Sequence, residues 1–229
     1  TQALCQFTYP EKVHIRSYQP TYVGHQGQIK RAIKLIAGSK RPVLYTGGGI
    51  ISSSASNELL KFAEMLSIPV TNTLMGLGGF PGNHPLFLGM LGMHGTYAAN
   101  MAITESDVII SIGARFDDRA TGKVDEFASH ASIIHADIDP TSISKNIRVD
   151  IPIVGDAKNV LKQMIGIVEG EKELFKHYTQ ATAEWLQTIK RWKEGYPLTY
   201  IHNGKLKPQY VIERINELTQ GKAIIATEV

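Results

Sequence analysis

The chain has 229 residues, 43% of them hydrophobic and 20% charged, with a formal net charge of +3. Basic and acidic residues are mixed without a basic stripe, which argues against a nucleic-acid partner, and no run approaches the ~18 uncharged apolar residues of a membrane span. Cys5 is the sole cysteine, so no internal disulfide forms, and the expected setting is reducing and cytoplasmic.

Residues 1–25 are rich in Pro, Tyr and Thr without a period and read as an interdomain linker. QIKRAIKLIA follows with a helical stripe of Ile29, Ala32, Ile33, Leu35 and Ile36, stopped by Gly38 and Pro42. PVLYT is a short apolar strand that runs into Gly47, Gly48 and Gly49. SSSASNELLKFAEML reads as a serine-capped helix with an apolar face of Leu59, Phe62, Ala63 and Leu66.

VTNTL (70–74) is a second β-type run, and residues 76–95 are glycine-rich loop with FLGM as a short strand. TYAANMAITES reads as a helix, DVIISIG as a strand, then a loop with a short helical segment. SIIHADID (132–139) and IPIVGD (151–156) are further strands, separated by the turn TSISKNI and followed by the helix AKNVLKQMIGIV.

The strands are apolar throughout rather than alternating, as strands buried on both faces of a parallel sheet are. Strand and helix alternate. The expected fold is α/β: a doubly wound, mostly parallel, six-stranded Rossmann-like sheet with helices on both faces.

After residue 170 the texture changes. A long polar helix carries Leu174, Tyr178, Trp185, Ile189 and Trp192, and KLKPQYVIERINELTQGKAIIATEV starts a new helix and strand. The expected division is linker 1–25, central domain 26–170, helical connector 171–204 and the start of another domain at 205–229. The missing initiator Met and the apolar terminal run read as ends cut from a longer protein.

The strand carboxyl ends carry the chemistry. They read TGGG, TLMG, GMHG, GARFDD, DIDP and VGDA, and open α/β sheets bind ligands on that side. Glycines before a helix start let a backbone approach a diphosphate, although a plain tight turn has the same sequence and G-x-G-x-x-G is absent. Asp137 at a strand end suits ribose hydroxyls, while Asp139 before Pro140 suits a helix cap, and both roles can hold. Asp156 fits an N-cap equally well.

His94, alone between Gly92 and Gly95, is more often structural than catalytic, and no metal-ligand spacing accompanies it. GARFDDR brackets Asp117 and Asp118 with Arg115 and Arg119. Charge-rich loops are commonly solvated ion-pair clusters, but at a strand end Arg119 can hold a carboxylate or phosphate bidentately. No Ser–His–Asp set, nucleophilic cysteine or acid–base carboxylate pair is present: the chain reads as a cofactor platform without a reaction centre.

LGMLGMHGTYAANMAITESDVIISIGARFDDR followed by IIHADIDPTSISKNIRVDIPIVGDA closely resembles the large, catalytic subunits of acetohydroxyacid synthases (acetolactate synthases), over essentially residues 20–229. That family has three domains, and the resemblance implies the central one, flanked by the linker and the opening of the thiamine-diphosphate domain. It implies FAD bound in an extended pose. Gly47, Gly48 and Gly49 would line its phosphate and ribityl region, Thr73, Leu74 and Met75 the flavin side, and Leu91, Gly92, Met93 and His94 its length. Gly113, Ala114, Arg115, Asp117 and Arg119 would form central contacts, Asp137, Ile138 and Ser142 the adenosine ribose end, and Asp156 and Ala157 the adenine end. Met93 and Arg119 would also face the substrate channel.

The family joins two pyruvates, or pyruvate and 2-ketobutyrate, with loss of CO2, in branched-chain amino-acid biosynthesis. Thiamine diphosphate and Mg2+ are held by the outer domains, so the resemblance implies no catalytic residue and no metal ligand here. It also implies a homodimeric or tetrameric parent with a regulatory small subunit. The alternative is a central domain of another thiamine-diphosphate carboligase or decarboxylase, binding an ADP- or CoA-like nucleotide or no ligand. GARFDDR with DIDPTSI disfavours the first form. Three consecutive glycines, each costly in conformational entropy, disfavour the second.

Overall fold

The computed structural model describes residues 8–226 apart from 14, 17 and 18. The six expected strands form: β1 (Pro42–Thr46), β2 (Val70–Asn72), β3 (Phe87–Met90), β4 (Val108–Ile112), β5 (Ser132–Asp137) and β6 (Ile151–Val154). They make one sheet of order β3-β2-β1-β4-β5-β6, every neighbouring pair parallel. All five residues of β1 and of β4 are buried, which is why the apolar runs do not alternate.

Alternate residues of β1, β4 and β5 feed two cores. On one face Leu44, Ile110 and Ile134 pack against α1 (Gln26–Ala37), α3 (Ser56–Leu66) and α6 (Ala157–Gly170), whose stripes contribute Ile33, Phe62 and Met164. On the other face Val43, Ile109 and Ile133 meet α4 (Tyr97–Glu105) and α7 (Tyr178–Gly195) through Ala102, Ile103, Trp185 and Ile189. Each such large side chain contributes about 1.5–3 kcal/mol on burial. Trp185 also donates its indole N–H to the Pro42 carbonyl at 3.1 Å, fixing α7 to the start of β1.

The serine run does not cap a helix as expected. A short helix α2 (Gly48–Ser52) begins directly on the glycines, and the serines fall at its end. Ser53 Oγ donates to the Gly49 carbonyl at 2.7 Å, Ser54 turns the chain at φ 53°, and α3 starts after Ala55 with no side-chain cap. The Ser53 hydroxyl satisfies end carbonyls instead of free N–H groups.

Gly195 onward forms a second compact unit. Its helix α8 (Pro208–Thr219) starts with Pro at the first turn, where a missing N–H costs nothing. The strand expected over AIIATEV is not formed at 223–226, and 227–229 lie outside the described residues. Ile224 is fully exposed: a strand needs a partner strand for its N–H and C=O groups, and 223–226 pair with none among the described residues.

Candidate functional site

The strand order reverses between β1 and β4, and a crevice at such a switch point is where open α/β sheets take ligands. A cleft of about 870 Å³ opens there, along the carboxyl ends of the strands.

At the β1 end the glycines have separate jobs. Gly47 and Gly49 lie against the backbone after β4: a Cβ on Gly49 would be 2.6 Å from Gly113 Cα. Gly49 N donates to the Gly113 carbonyl at 3.1 Å. Gly48 and Gly49 line the cleft, whereas Gly47 serves the crossing beneath it. Beside them β2 ends in a polar clasp. Thr46 and Asn72 side chains hydrogen-bond, and Asn72 Nδ2 donates to the Gly76 carbonyl at 2.8 Å. Thr73 Oγ1 accepts from Gly76 N at 3.1 Å. This tight turn holds Leu74 and Met75 out to solvent, 66% and 75% exposed, over the cleft that Thr73 also lines.

After β3, Leu91, Met93 and His94 line the cleft, Met93 at 80% exposure. Gly92 does not. Its φ is +107°, and a Cβ would meet the Arg119 carbonyl oxygen at 2.5 Å, so this glycine docks the loop on the segment after β4.

That segment, GARFDDR, turns on Phe116, which the charge pattern concealed. Phe116 is buried with φ +53°, in the left-handed region. Its ring packs 5.2 Å from Tyr45 and 5.2 Å from His135, and Asn146 Nδ2 donates to its carbonyl at 2.9 Å. With Phe116 inward, Arg115 and Asp117 on either side face the cleft and pair at 3.0 Å. Exposed and salt-screened, that pair is weak and leaves Arg115 available to an anion. Asp117 opens the short helix α5 (Asp118–Thr121), which carries Arg119 and Ala120 along the wall, below Gly113 and Ala114.

At the β5 and β6 ends the two aspartates of DIDP divide because the strand stops at Asp137: two residues apart they would share a face of a regular strand, and the turn that follows carries Asp139 away. Asp137, almost fully buried, lines the cleft and accepts from Asp139 N at 2.8 Å. Asp139 turns away and caps the turn Pro140–Ser142, accepting from Thr141 N and Thr141 Oγ1. The Thr141 hydroxyl and N–H hold its carboxyl below the ordinary range. Ser142 is spent on that turn, 3.4 Å from Asp139 Oδ2, and does not reach the cleft. Asp156 does both jobs: it caps α6 through Asn159 N at 3.1 Å and lines the cleft beside Ala157, with Ile138 nearby.

Tyr45, Ser111 and His135 stand in one cross-strand row. All are fully buried, and neither the two hydroxyls nor either imidazole nitrogen has a hydrogen bond of standard geometry. Burial and Asp117 push the Tyr45 phenol up, while burial pushes His135 down against the opposing pull of Asp137 and the Ala114 backbone. Both are neutral. Tyr45 also borders the cleft, with its hydroxyl buried beneath the surface a ligand would meet.

All the sequence-named residues except Gly47, Gly92 and Ser142 therefore meet on one cleft. Sequence reasoning missed Tyr22, Tyr45, Ser52, Ser53, Met90 and Ala120. A polar aromatic inside the apolar run PVLYT was a signal for Tyr45. Nothing local marked Tyr22, which arrives from the segment before α1. Among the described residues no group of three or more His, Cys, Asp or Glu is placed to hold a metal ion, and no helix is long and apolar enough to cross a membrane.

Residues 29–164 match the family model described as thiamine pyrophosphate enzyme, central domain. The acetolactate synthase large subunit of Buchnera aphidicola subsp. Schizaphis graminum is 51% identical over 224 residues, 97% of this chain and 38% of that protein. The Haemophilus influenzae large subunit is 49% identical over 224 residues, 97% of this chain and 39% of that protein. Acetolactate synthase isozyme 3 large subunit of Escherichia coli K12 is 46% identical over the same length, again 97% and 39%. The chain thus spans about two-fifths of the relatives it matches. With the parallel sheet and the matched span running from α1 through most of α6, the chain belongs to the thiamine pyrophosphate enzyme central-domain family.

Proposed function

We propose that this chain is the FAD-binding central part of an acetolactate synthase large subunit. The observation that carries the reading is the cleft itself. One elongated crevice joins Gly48 and Gly49, two arginines, the buried Asp137 and the α6 start at Asp156. That is the order of groups a dinucleotide needs: backbone and cation for the diphosphate, carboxylate for ribose hydroxyls, a helix start beyond. A ligand-free spacer gains nothing from a crevice that leaves Tyr45 and Asp137 buried beside open space.

FAD fits the residues present. Arg115 and Arg119 hold the diphosphate and Asp137 the ribose. Leu74, Met75, Met93 and His94 flank the isoalloxazine, and Met93 and Arg119 face the 2-ketoacid. The flavin's role in this reading is structural, without net redox.

In the whole enzyme, thiamine diphosphate and Mg2+ supply the chemistry that joins pyruvate to a second pyruvate or to 2-ketobutyrate, and they are bound outside this chain. This chain's residues bind, orient and exclude water; none moves a proton. It is therefore inactive alone, its residues from 205 on open the thiamine-diphosphate domain, and the parent is a cytoplasmic homo-oligomer served by a regulatory small subunit.

The test is FAD titration followed by flavin fluorescence, with Arg115→Ala and Asp137→Ala. Saturable binding weakened by both substitutions is expected. Absence of FAD uptake by both this chain and the longer parent overturns the reading, and pyruvate consumption by this chain alone overturns the claim of inactivity.

A further inference from the structure

The segment before α1 is part of the cleft. Tyr22 lines it, although 19–25 contain neither helix nor strand. Its backbone is pinned. The Tyr22 carbonyl accepts from Asp156 N at 3.0 Å and from Asn159 Nδ2 at 3.2 Å. Two residues on, Gly24 N donates to Gln163 Oε1 at 3.1 Å, and Gln163 Nε2 donates back to the Gly24 carbonyl at 3.1 Å. Gly24 is buried so closely that a Cβ would stand 2.9 Å from Ile29 Cδ1 and 3.1 Å from Ile153 Cγ2. The segment is thus locked to α6, yet the Tyr22 side chain is 51% exposed.

The neighbours define what that ring meets. Asp156 N is bonded to Tyr22, and Gly155 N donates to the Asp137 carbonyl at 2.9 Å. Tyr22, Asp156 and Asp137 therefore stand together at the β5–β6 end. The cleft is electrostatically polarised: its lining arginines, Arg115 and Arg119, come from the segment after β4, while this end offers two carboxylates, the apolar Ile138 and Ala157, and no cation. Carboxylates repel a phosphate and accept from hydroxyl and amine donors. The group favoured here is a neutral nucleoside with a planar, apolar-faced base. An aromatic ring held in place by its own backbone presents a face to such a base at little entropic cost.

We propose that Tyr22 is a further ligand-contacting residue, whose ring packs on the purine of the bound dinucleotide and makes the site prefer FAD over a flavin mononucleotide. The inference rests on the FAD reading above and deepens it. It also assigns a binding role to a residue outside the family-matched span, which begins at residue 29.

The test compares FAD, FMN and ADP binding by wild type, Tyr22→Ala and Tyr22→Phe, by fluorescence and calorimetry, with thermal melts as the fold control. Tyr22→Ala weakens FAD and ADP roughly tenfold, the size of lost base–aromatic stacking, and leaves FMN unchanged; Tyr22→Phe keeps wild-type affinity. Unaltered FAD affinity in Tyr22→Ala overturns the inference, as does an equal loss for FMN. A wild type that takes up FAD while Tyr22→Ala matches it sinks this inference alone. A wild type that takes up no flavin and no ADP sinks the FAD reading and this inference with it.

Discussion

Gly47 and Gly113 meet backbone to backbone: a Cβ on Gly47 would lie 2.2 Å from the Gly113 carbonyl oxygen and 2.8 Å from Ala114 Cα. This contact brings the β1 and β4 ends together under the cleft. The obstructing atoms are backbone, so no side chain can yield. Gly47→Ala is expected to cost about 1–3 kcal/mol, the range of overpacking, and to weaken flavin binding because both loops shift. Gly166→Ala is the control. It lies inside α6 with nothing within 4 Å of the added Cβ, and is expected to stabilise by about 0.5–1 kcal/mol. Urea denaturation of both variants checks the contrast; equal effects would show that the crossing is slack.

Phe116 stands between two cleft residues and fixes both. Phe116→Ala removes its ring contacts with Tyr45, Phe127 and His135 and is expected to cost about 3–5 kcal/mol. Flavin affinity should fall with it, since Arg115 and Asp117 lose the anchor that aims them. Phe116→Leu keeps much of the apolar volume, so a smaller loss on both readouts is expected.

His135 makes stability acid-sensitive. Its folded pKa is lowered by burial, so the native state holds the neutral ring and the unfolded chain binds the proton first. Stability contributed this way is complete above the unfolded value of about 6.5 and is lost as pH falls through that value towards the lowered folded one. The urea midpoint of wild type should drop between pH 7.5 and pH 5.5. His135→Leu should flatten that part of the profile. An identical slope in both proteins would assign the acid sensitivity to other groups.

Asn72 is a positioning residue. It takes the Thr46 hydroxyl on one side and holds the Gly76 carbonyl on the other. Asn72→Ala leaves the buried Thr46 hydroxyl unsatisfied, while the Gly76 carbonyl keeps its bond from Gly79 N, and is expected to cost about 1–3 kcal/mol. The Leu74–Met75 turn loses its clasp, so FAD should dissociate faster. Stopped-flow flavin release measures this, and an unchanged off-rate would mean the turn does not cover the ligand.

Much of this protein was legible along the chain, where the physics is local. Apolar runs without alternation determined the buried parallel strands, and the stripe Ile29–Ile33–Ile36 determined α1, because side-chain period alone fixes which faces are buried. Asp139 was marked as a cap by the Pro140 that follows it, and Asp137 as a strand-end carboxylate by its place after an apolar run. The strand ends TGGG, GARFDDR and DIDP were marked by residue types that apolar strands lack.

Only the tertiary structure decided which of those residues face the cleft. Gly47, Gly92 and Gly113 are set by backbones more than twenty residues away in sequence, and no local pattern reports such an approach. Phe116 reads as one apolar residue in a charged loop until Tyr45 and His135 arrive from two other strands to receive it. Tyr22 sits in a stretch with no period of its own. Its place is settled by hydrogen bonds to Asp156 and Asn159, more than a hundred residues on. Sequence fixes the faces of elements; the crossing of strand ends, a long-range packing event, chooses the residues that share a ligand.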